Sequence, residues 1–335
     1  MSTIIRQAIR SLALGALVPG VLLSAVSHWQ TPMAQPQPEA EQVLTQPAEP
    51  EAPPHDSEEI TSVVVPVLKS DGSVKRMDLE DYICRVVLGE MPASFETEAL
   101  KAQAVAARTY TLKCILGGSK HPEGAVCTSH KCCQAYCEPE GYIRNGGTWA
   151  NTQKVFSAVL DTAGEVLYYG DKLIMATYFS SAGGTTEDAK EVWGNAFPYL
   201  TVVQSPEQDN VFNGSTARFS GQEFCNKLGV KLKGSPESWF GSVTYTVGGG
   251  VDRIRIGGVQ YKGTQIRTAL GLRSTDFTIS VKGDQITFTT NGNGHRVGMS
   301  QYGADAMAAT GSDYETILLH YYTGTRLGQY SPVND

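Results

Sequence analysis

"MDLEDYICRVVLGEMP", residues 77–92, carries Leu79, Tyr82, Ile83, Val86 and Val87 at helical spacing, with Asp78 placed as an N-cap. One apolar stripe is expected to be buried. The helix is expected to stop at or near Glu90, because Pro92 disfavours α geometry at Met91. The overlapping stretch "LGEMPASFETEALKAQAVAARTY", residues 88–110, then opens a second helix around residues 94–97 that runs to about Leu116. Ala99, Ala102, Ala104, Ala106 and Ala107 keep its surface short, so neighbouring elements can approach closely. Lys101 and Arg108 lie two turns apart on one of its faces.

Glu90 has two readings, a solvated helix-end carboxylate and a general acid. At a helix C-terminus a carboxylate faces the negative end of the macrodipole, which disfavours its ionised form and favours proton donation. Position alone leans to the surface reading, since most glutamates are surface groups.

Working outward, "TSVVVPVL" at 61–68 alternates and is β-branched, as a strand does, and Ser70, Asp71 and Gly72 supply a turn. From Trp149 onward short β-rich runs, among them "GEVLYYGDKLIMATYFSSAGG" and "FTISVKGDQITFTTNGNG", are broken by Gly, Asn and Asp turns. Residues 300–309 form a helix stopped at Gly311, and a capping box from Ser312 to Glu315 starts another. The fold class is α+β, with short helices around Glu90 packed on a β-rich body. Two lobes with a substrate groove between them are one arrangement this pattern allows.

The N-terminal part divides differently. Residues 1–29 hold Arg6 and Arg10 and then an apolar run that includes "LALGALVPGVLLSAV". Ala25, Val26 and Ser27 suit a cleavage site, yet the uncharged length approaches the ~20 residues of a membrane span. A signal peptide and an uncleaved signal-anchor both remain open, the anchor being favoured. Residues 30–60 are a Pro/Glu-rich linker with seven of the sixteen prolines, seven acidic residues and no Lys or Arg, hence an extended tether. Residues 61–330 form the folded domain. Of the formal charge of −7, about −2 remains for everything after residue 60, so a nucleic-acid partner is not expected.

Seven cysteines include five between Cys114 and Cys137, beside His121 and His130. One or two disulfides in an exported chain are one account of them, and a metal cluster is the other.

Three stretches, "VVLGEMPASFETEALKAQAVAARTY", "YFSSAGGTTEDAKEVWGNAFPYL" and "GHRVGMSQYGADAMA", occur in an order that resembles the stage II sporulation protein D (SpoIID) family, across roughly 61–328. The resemblance implies a lytic transglycosylase that cuts the MurNAc-β-1,4-GlcNAc bond of peptidoglycan, with Glu90 as catalytic acid. A lone carboxylate suits that chemistry. A glycosidase uses two carboxyl groups, whereas here the muramic acid C6 hydroxyl attacks its own C1 and leaves a 1,6-anhydro end. Asp81, Glu96 and Glu98 stay close enough in sequence for a second carboxylate to remain open. Lys101 and Arg108 match basic positions of the family motif and would orient Glu90, or bind the lactyl carboxylate of glycan stripped of stem peptides. Tyr178, Ser180, Ser181, Gly183, Gly184 and Trp193 would form one groove wall. His295, Gln301 and Tyr302 would line the sugar site, although His295 equally suits a structural role. "NGNGHRVGMSQYGA" lacks the register and lysine of a nucleotide loop.

Some members of the family bind zinc through H-x5-C-x5-C, which here is His121, Cys127 and Cys133. Three ligands and a water would make an open site, and Cys132 or Cys137 is an alternative ligand. The resemblance further implies a septal, extracytoplasmic role in engulfment during sporulation, with a peptide-removing amidase and associated membrane proteins as partners and an N-terminal helix in the membrane. A muramidase-type hydrolase and a non-catalytic amidase activator, the latter suggested by the related amidase-enhancer (LytB) label, are the alternatives.

Overall fold

The computed structural model describes residues 63–207 and 211–331. The expected membrane segment at 1–29 and linker at 30–60 lie outside the described residues. Among the described residues no helix is long and apolar enough to cross a membrane.

Strand β1 (Val64–Leu68) turns through Gly72 into β2 (Val74–Asp78), an antiparallel hairpin. Asp78 then caps α1 (Leu79–Glu90): its Oδ1 accepts from the backbone N–H of Glu80 at 2.9 Å and of Asp81 at 3.2 Å. The expected stripe of Leu79, Tyr82, Ile83, Val86 and Val87 is buried. Met91 is extended, as Pro92 requires, and the helix ends on Glu90.

Helix α2 (Thr97–Leu116) is 20 residues long and runs through the middle of the core. Its alanines are all fully buried, and their small side chains let α1 and α4 (Trp149–Leu160) lie against its backbone. Between α2 and α4 come β3 (Val126–Cys127), parallel to β1, and α3 (Pro139–Arg144). After α4 follow β4 (Glu165–Tyr169), β5 (Lys172–Leu173), β6 (Tyr178–Phe179) and the short helix α5 (Ala189–Trp193).

The chain then builds a second core. Strand β7 (Ser215–Ser220) and α6 (Gly221–Leu228) precede the meander β8 (Phe240–Tyr245), β9 (Val251–Ile256) and β10 (Val259–Lys262). Helix α7 (Gly263–Leu270) leads to the hairpin β11 (Phe277–Lys282) and β12 (Gln285–Thr290), and β12 pairs with β7. Phe224, Trp239, Phe277 and Phe288 fill this second core. The chain returns through β13 (Met299–Ser300), which pairs in parallel with β6, to α8 (Gln301–Ala309), α9 (Tyr314–Tyr321) and β14 (Arg326–Gln329) on β4.

The fold is mixed α+β, as the sequence indicates. Its strands are spread over several two- and three-stranded sheets, and the helices supply much of the first core themselves. Both cores belong to one compact unit.

Arg108 decides much of that first core. Its guanidinium is completely buried and grips Glu80 of α1 with two bonds, Nε to Oε1 at 2.8 Å and Nη2 to Oε2 at 2.6 Å. It also donates to the carbonyls of Glu165 at 3.0 Å and Val159 at 3.2 Å. One side chain thus joins α1, α2, the end of α4 and the start of β4. This corrects its expected place beside Glu90, because the side chain is fully buried and four of its five N–H groups are engaged within the core. Removing one partner of a buried pair strands the other charge. Arg108→Gln is expected to lower stability by about 3 kcal/mol in urea unfolding, and an unchanged midpoint would show that the pair does not hold the core.

Candidate active site around Glu90

The last turn of α1 is crossed by the chain segment that follows the cysteine cluster. A Cβ on Gly89 would lie 2.9 Å from the backbone nitrogen of Tyr136, so only glycine permits this crossing. The backbone N–H of Cys137 donates to the carbonyl of Arg85 at 3.0 Å, fixing the segment on the helix. As a result the N–H of Ala135 donates to Glu90 Oε1.

Glu90 is half-buried, and burial pushes its carboxyl above the ordinary carboxylate range. The Ala135 N–H, the Gln301 amide, the charge of His130 and the neighbouring Tyr178 hydroxyl oppose that rise without cancelling it. Desolvation adds to the macrodipole effect expected from the sequence. The Tyr178 hydroxyl donates to Gln134 Oε1 at 2.8 Å, and Gln134 Nε2 donates to Thr111 Oγ1 at 2.8 Å. A buried polar chain therefore runs from α2 to the residues that hold Glu90.

Glu90 opens onto a cavity of about 1270 Å³. Residues 130–135 and 177–180 form one side of it, Arg267, Thr268 and Leu272 on and after α7 another, and residues 293–295 a third. Among the described residues Glu90 is the one carboxylate in its lining. A smaller cavity of about 410 Å³ shares Arg267, Leu272 and Asn293 with it.

Ser180, Trp193, His295 and Gln301 line the cavity together with Glu90 and Tyr178. Trp193, 41% exposed, stands at its edge with its ring 5.2 Å from that of His295. His295 Nδ1 accepts from the Val297 N–H at 3.2 Å. Burial, and then the Arg267 charge, push its imidazole down to about 4, so it is neutral at pH 7 and serves as a wall.

Ser181, Gly183 and Gly184 stand behind that wall. Ser181 is fully buried and exchanges backbone hydrogen bonds with Asn293, 3.0 Å and 2.7 Å. Gly183 has φ +73°, and a Cβ there would lie 2.8 Å from the nitrogen of Gly292, so backbone packs directly on backbone. Tyr302 is also outside the cavity, with its ring edge-on to Phe95 at 5.0 Å and Phe212 at 5.4 Å.

Lys101 does not face Glu90. It pairs with Glu98 at 3.1 Å and Asp161 at 3.6 Å, on the side of α2 that also carries Arg108. The face turned about 200° from it, two residues on, is the one that meets the site. Gln103 of that face accepts a long bond from Gln301 at 3.4 Å, and Tyr110, two turns further, lines the cavity. Sequence reasoning chose the charged face and missed these two; the lone amide in the alanine run was the available signal. It also missed the pair Arg296–Glu187, 3.2 Å apart and each 1% exposed. Arg296 binds the carbonyls of Ala182 at 2.9 Å and Gly248 at 2.7 Å, tying the wall to the loop between β8 and β9.

His121, Cys127, Cys132 and Cys133 bring their ligand atoms within 4.8 Å of one another, a cluster that could hold a metal ion. The Sγ atoms of Cys132 and Cys133 each lie 3.4 Å from His121 Nε2. The expected three-ligand set thus gains Cys132 as a fourth donor. Cys137 is not in the cluster; its Sγ lies 3.5 Å from the Glu138 carbonyl. None of the seven cysteines forms a disulfide.

Residues 69–169, which span α1, α2 and the cysteine cluster, match the SpoIID family, described as stage II sporulation protein. The chain is 39% identical over 324 residues to the stage II sporulation protein D of Bacillus subtilis (strain 168), covering 95% of this chain and 93% of that one. It is 40% identical over 274 residues to the protein of the same name from Bacillus amyloliquefaciens, covering 80% of this chain and 79% of that one. A further relative, 32% identical over 308 residues, is the amidase enhancer of Bacillus subtilis (strain 168), with 73% of this chain and 40% of that one covered. With 39–40% identity over most of its length and a family match that spans the helix end carrying Glu90, the chain belongs to the SpoIID family.

Proposed function

We propose that this protein is a peptidoglycan lytic transglycosylase acting on denuded glycan strands, with Glu90 as its acid and base. The observation that carries this reading is the pairing of one carboxylate, raised in pKa by burial, with a cavity that has no second carboxylate among its described lining residues. A hydrolase would call for that second group, to activate water or to attack the sugar.

Glu90 in its neutral form donates its proton to the glycosidic oxygen as the C1–O bond breaks. Because Oε1 accepts from the Ala135 N–H, the transferable proton sits on Oε2. The resulting carboxylate takes the proton of the muramic acid C6 hydroxyl while that oxygen bonds to C1, giving the 1,6-anhydro end and returning Glu90 to its neutral form. No water is consumed. The Ala135 N–H, Tyr178 and Gln301 favour the carboxylate that exists between the two steps, and burial favours the acid before and after.

The location and partners in this proposal are an extracytoplasmic septum of a sporulating cell, an N-terminal anchor at 1–29 in the membrane, and an amidase that strips stem peptides beforehand. The amidase-enhancer relative favours a second reading, a wall-binding activator without catalysis. Glu90→Gln separates the two readings. Digests of denuded glycan analysed by mass spectrometry are expected to show anhydro ends with wild type and a loss of about 10²- to 10⁴-fold in rate with the variant. Reducing muramic acid ends would instead indicate a hydrolase, and an unchanged rate would remove Glu90 from the chemistry.

The same substitution is expected to stabilise the fold at neutral pH. A carboxyl whose folded pKa lies above its unfolded one binds more protons when folded, so its ionisation costs stability as pH rises through the folded value. Thermal melts should show the Glu90→Gln variant above wild type at pH 7 to 8 and level with it at pH 4, where both groups are neutral. A lower melting temperature for the variant at pH 7 would contradict the burial account.

The metal in this reading is zinc, and its role is to hold the 130–135 segment. Tetrahedral zinc bound by thiolate and imidazole sets neighbouring donors roughly 3.5–3.8 Å apart, which the cluster approaches with little movement. Four protein ligands leave no open position, so the ion would be structural, and the chemistry it supplies is the fixing of the backbone that carries Ala135. Metal analysis of purified protein is expected to give one zinc per chain. Cys132→Ser should weaken zinc retention against a chromogenic chelator, and Cys137→Ser should leave it unaltered. Equal retention by both variants would return the site to three ligands.

A further inference from the structure

Arg85, Arg108 and Arg296 have guanidinium groups largely withdrawn from solvent, and each holds a carboxylate: Asp81 and Glu138, Glu80, and Glu187. Arg267, in the last turn of α7, departs from that pattern. It is half-buried, burial pulls its pKa down, and among the described residues it forms no ion pair. Its Nε donates to the Arg273 carbonyl at 3.2 Å, which fixes the plane of the fork. The two terminal nitrogens have no hydrogen-bonded protein acceptor among the described residues.

A guanidinium drawn out of water without a counter-ion is unfavourable unless an anion completes it. Nothing within a helical turn supplies one, since Gly263, Thr264, Leu270 and Gly271 occupy the neighbouring positions of the helix surface. Arg267 instead lines both the Glu90 cavity and the smaller one, the position of a group that meets a bound ligand. Arg273, exposed and 5.1 Å from the Phe212 ring, carries positive charge along the wall of the smaller cavity.

We propose that Arg267 reads the lactyl carboxylate of muramic acid and so makes this site selective for strands from which the stem peptide has been removed. This rests on the reading that the cavity takes peptidoglycan glycan. On an unprocessed strand the lactyl carbonyl is an amide: it is neutral and offers one oxygen, where a planar fork is suited to two. Removing the peptide creates a carboxylate at that position, and two parallel charge-assisted bonds become available. A stem peptide carries carboxylates of its own, so the experiment has to separate the two sources. Lys101 and Arg108, engaged elsewhere, take no part.

The test reads binding rather than cleavage, in the full chain carrying Glu90→Gln, by calorimetry against four probes: denuded strands, peptide-bearing strands, denuded strands whose lactyl carboxyl is reduced to the alcohol, and uncharged N-acetylglucosamine oligomers. Adding Arg267→Gln is expected to weaken denuded-strand binding about 10- to 100-fold and to leave the other three unchanged. Arg267→Lys, which keeps the charge and loses the fork, should recover part of that loss. Lys282→Gln, an exposed charge outside both cavities, is the control for net charge and should change nothing. Retained preference for denuded strands in Arg267→Gln would overturn the assignment, as would an equal loss on peptide-bearing or carboxyl-reduced strands. Absence of measurable denuded-strand binding to Glu90→Gln would overturn the assignment and the glycan reading together. If wild type yields no anhydro product while the Arg267 dependence holds, the transglycosylase reading fails and the Arg267 assignment stands.

Discussion

Gly89 has no side chain, and the backbone of Tyr136 occupies the space where a Cβ would begin. That single close approach governs the site. It allows the segment after the cysteine cluster to lie across the end of α1, where Cys137 bonds to the Arg85 carbonyl and Ala135 bonds to Glu90. The same segment carries Gln134 to Tyr178 and Thr111, so the carboxyl, the tyrosine and the central helix α2 share one polar network. A larger residue at position 89 would push the segment away and leave Glu90 a solvated helix-end carboxylate, which is what its position in sequence first suggests.

Charge in this molecule follows a simple division. The deeply buried cations, Arg108 and Arg296, are paired and bonded to carbonyls from several segments, which makes them joints of the fold. Two half-buried charges, Glu90 and Arg267, line the large cavity, and neither forms an ion pair among the described residues. Desolvation acts on both in the same sense, towards the neutral form, raising the acid and lowering the base. In the proposed reading that condition serves proton transfer at Glu90 and binding of an anion at Arg267.

The helices at 79–90, 97–116 and 301–309 were legible, whereas α4 (Trp149–Leu160) lies where strands were expected and α9 is capped by Asp313, which accepts from the Thr316 N–H, in place of the expected box from Ser312 to Glu315. Asp78, the buried stripe of α1 and the stop before Pro92 all follow from local rules that need no partner, as do the short strands that begin at Glu165. The candidate site was legible as a grouping where a motif carries it, since Glu90, Tyr178, Ser180, Trp193, His295 and Gln301 line one cavity. It was not legible where the question was which face of an element points inward. Lys101 and Arg108 share a face of α2 that meets Glu98, Asp161 and Glu80, and spacing of seven residues cannot tell that face from the one bearing Gln103 and Tyr110. The glycines of 183–184 had a similar ambiguity, resolved by the packing of residue 183 on Gly292.

What the sequence determined by itself is therefore local: where helices begin and end, which residues are apolar on one stripe, and that Glu90 stands at a helix terminus. The family followed from motifs in order. Tertiary structure alone decided that four donors, His121, Cys127, Cys132 and Cys133, gather while Cys137 turns away, that Arg108 is a joint of the core, and that Arg267 faces the cavity of Glu90. Burial is the physical reason, because it is a property of what the rest of the chain places around a residue. The elements that surround Glu90 and Arg267 come from stretches as far apart in sequence as α1 and α7.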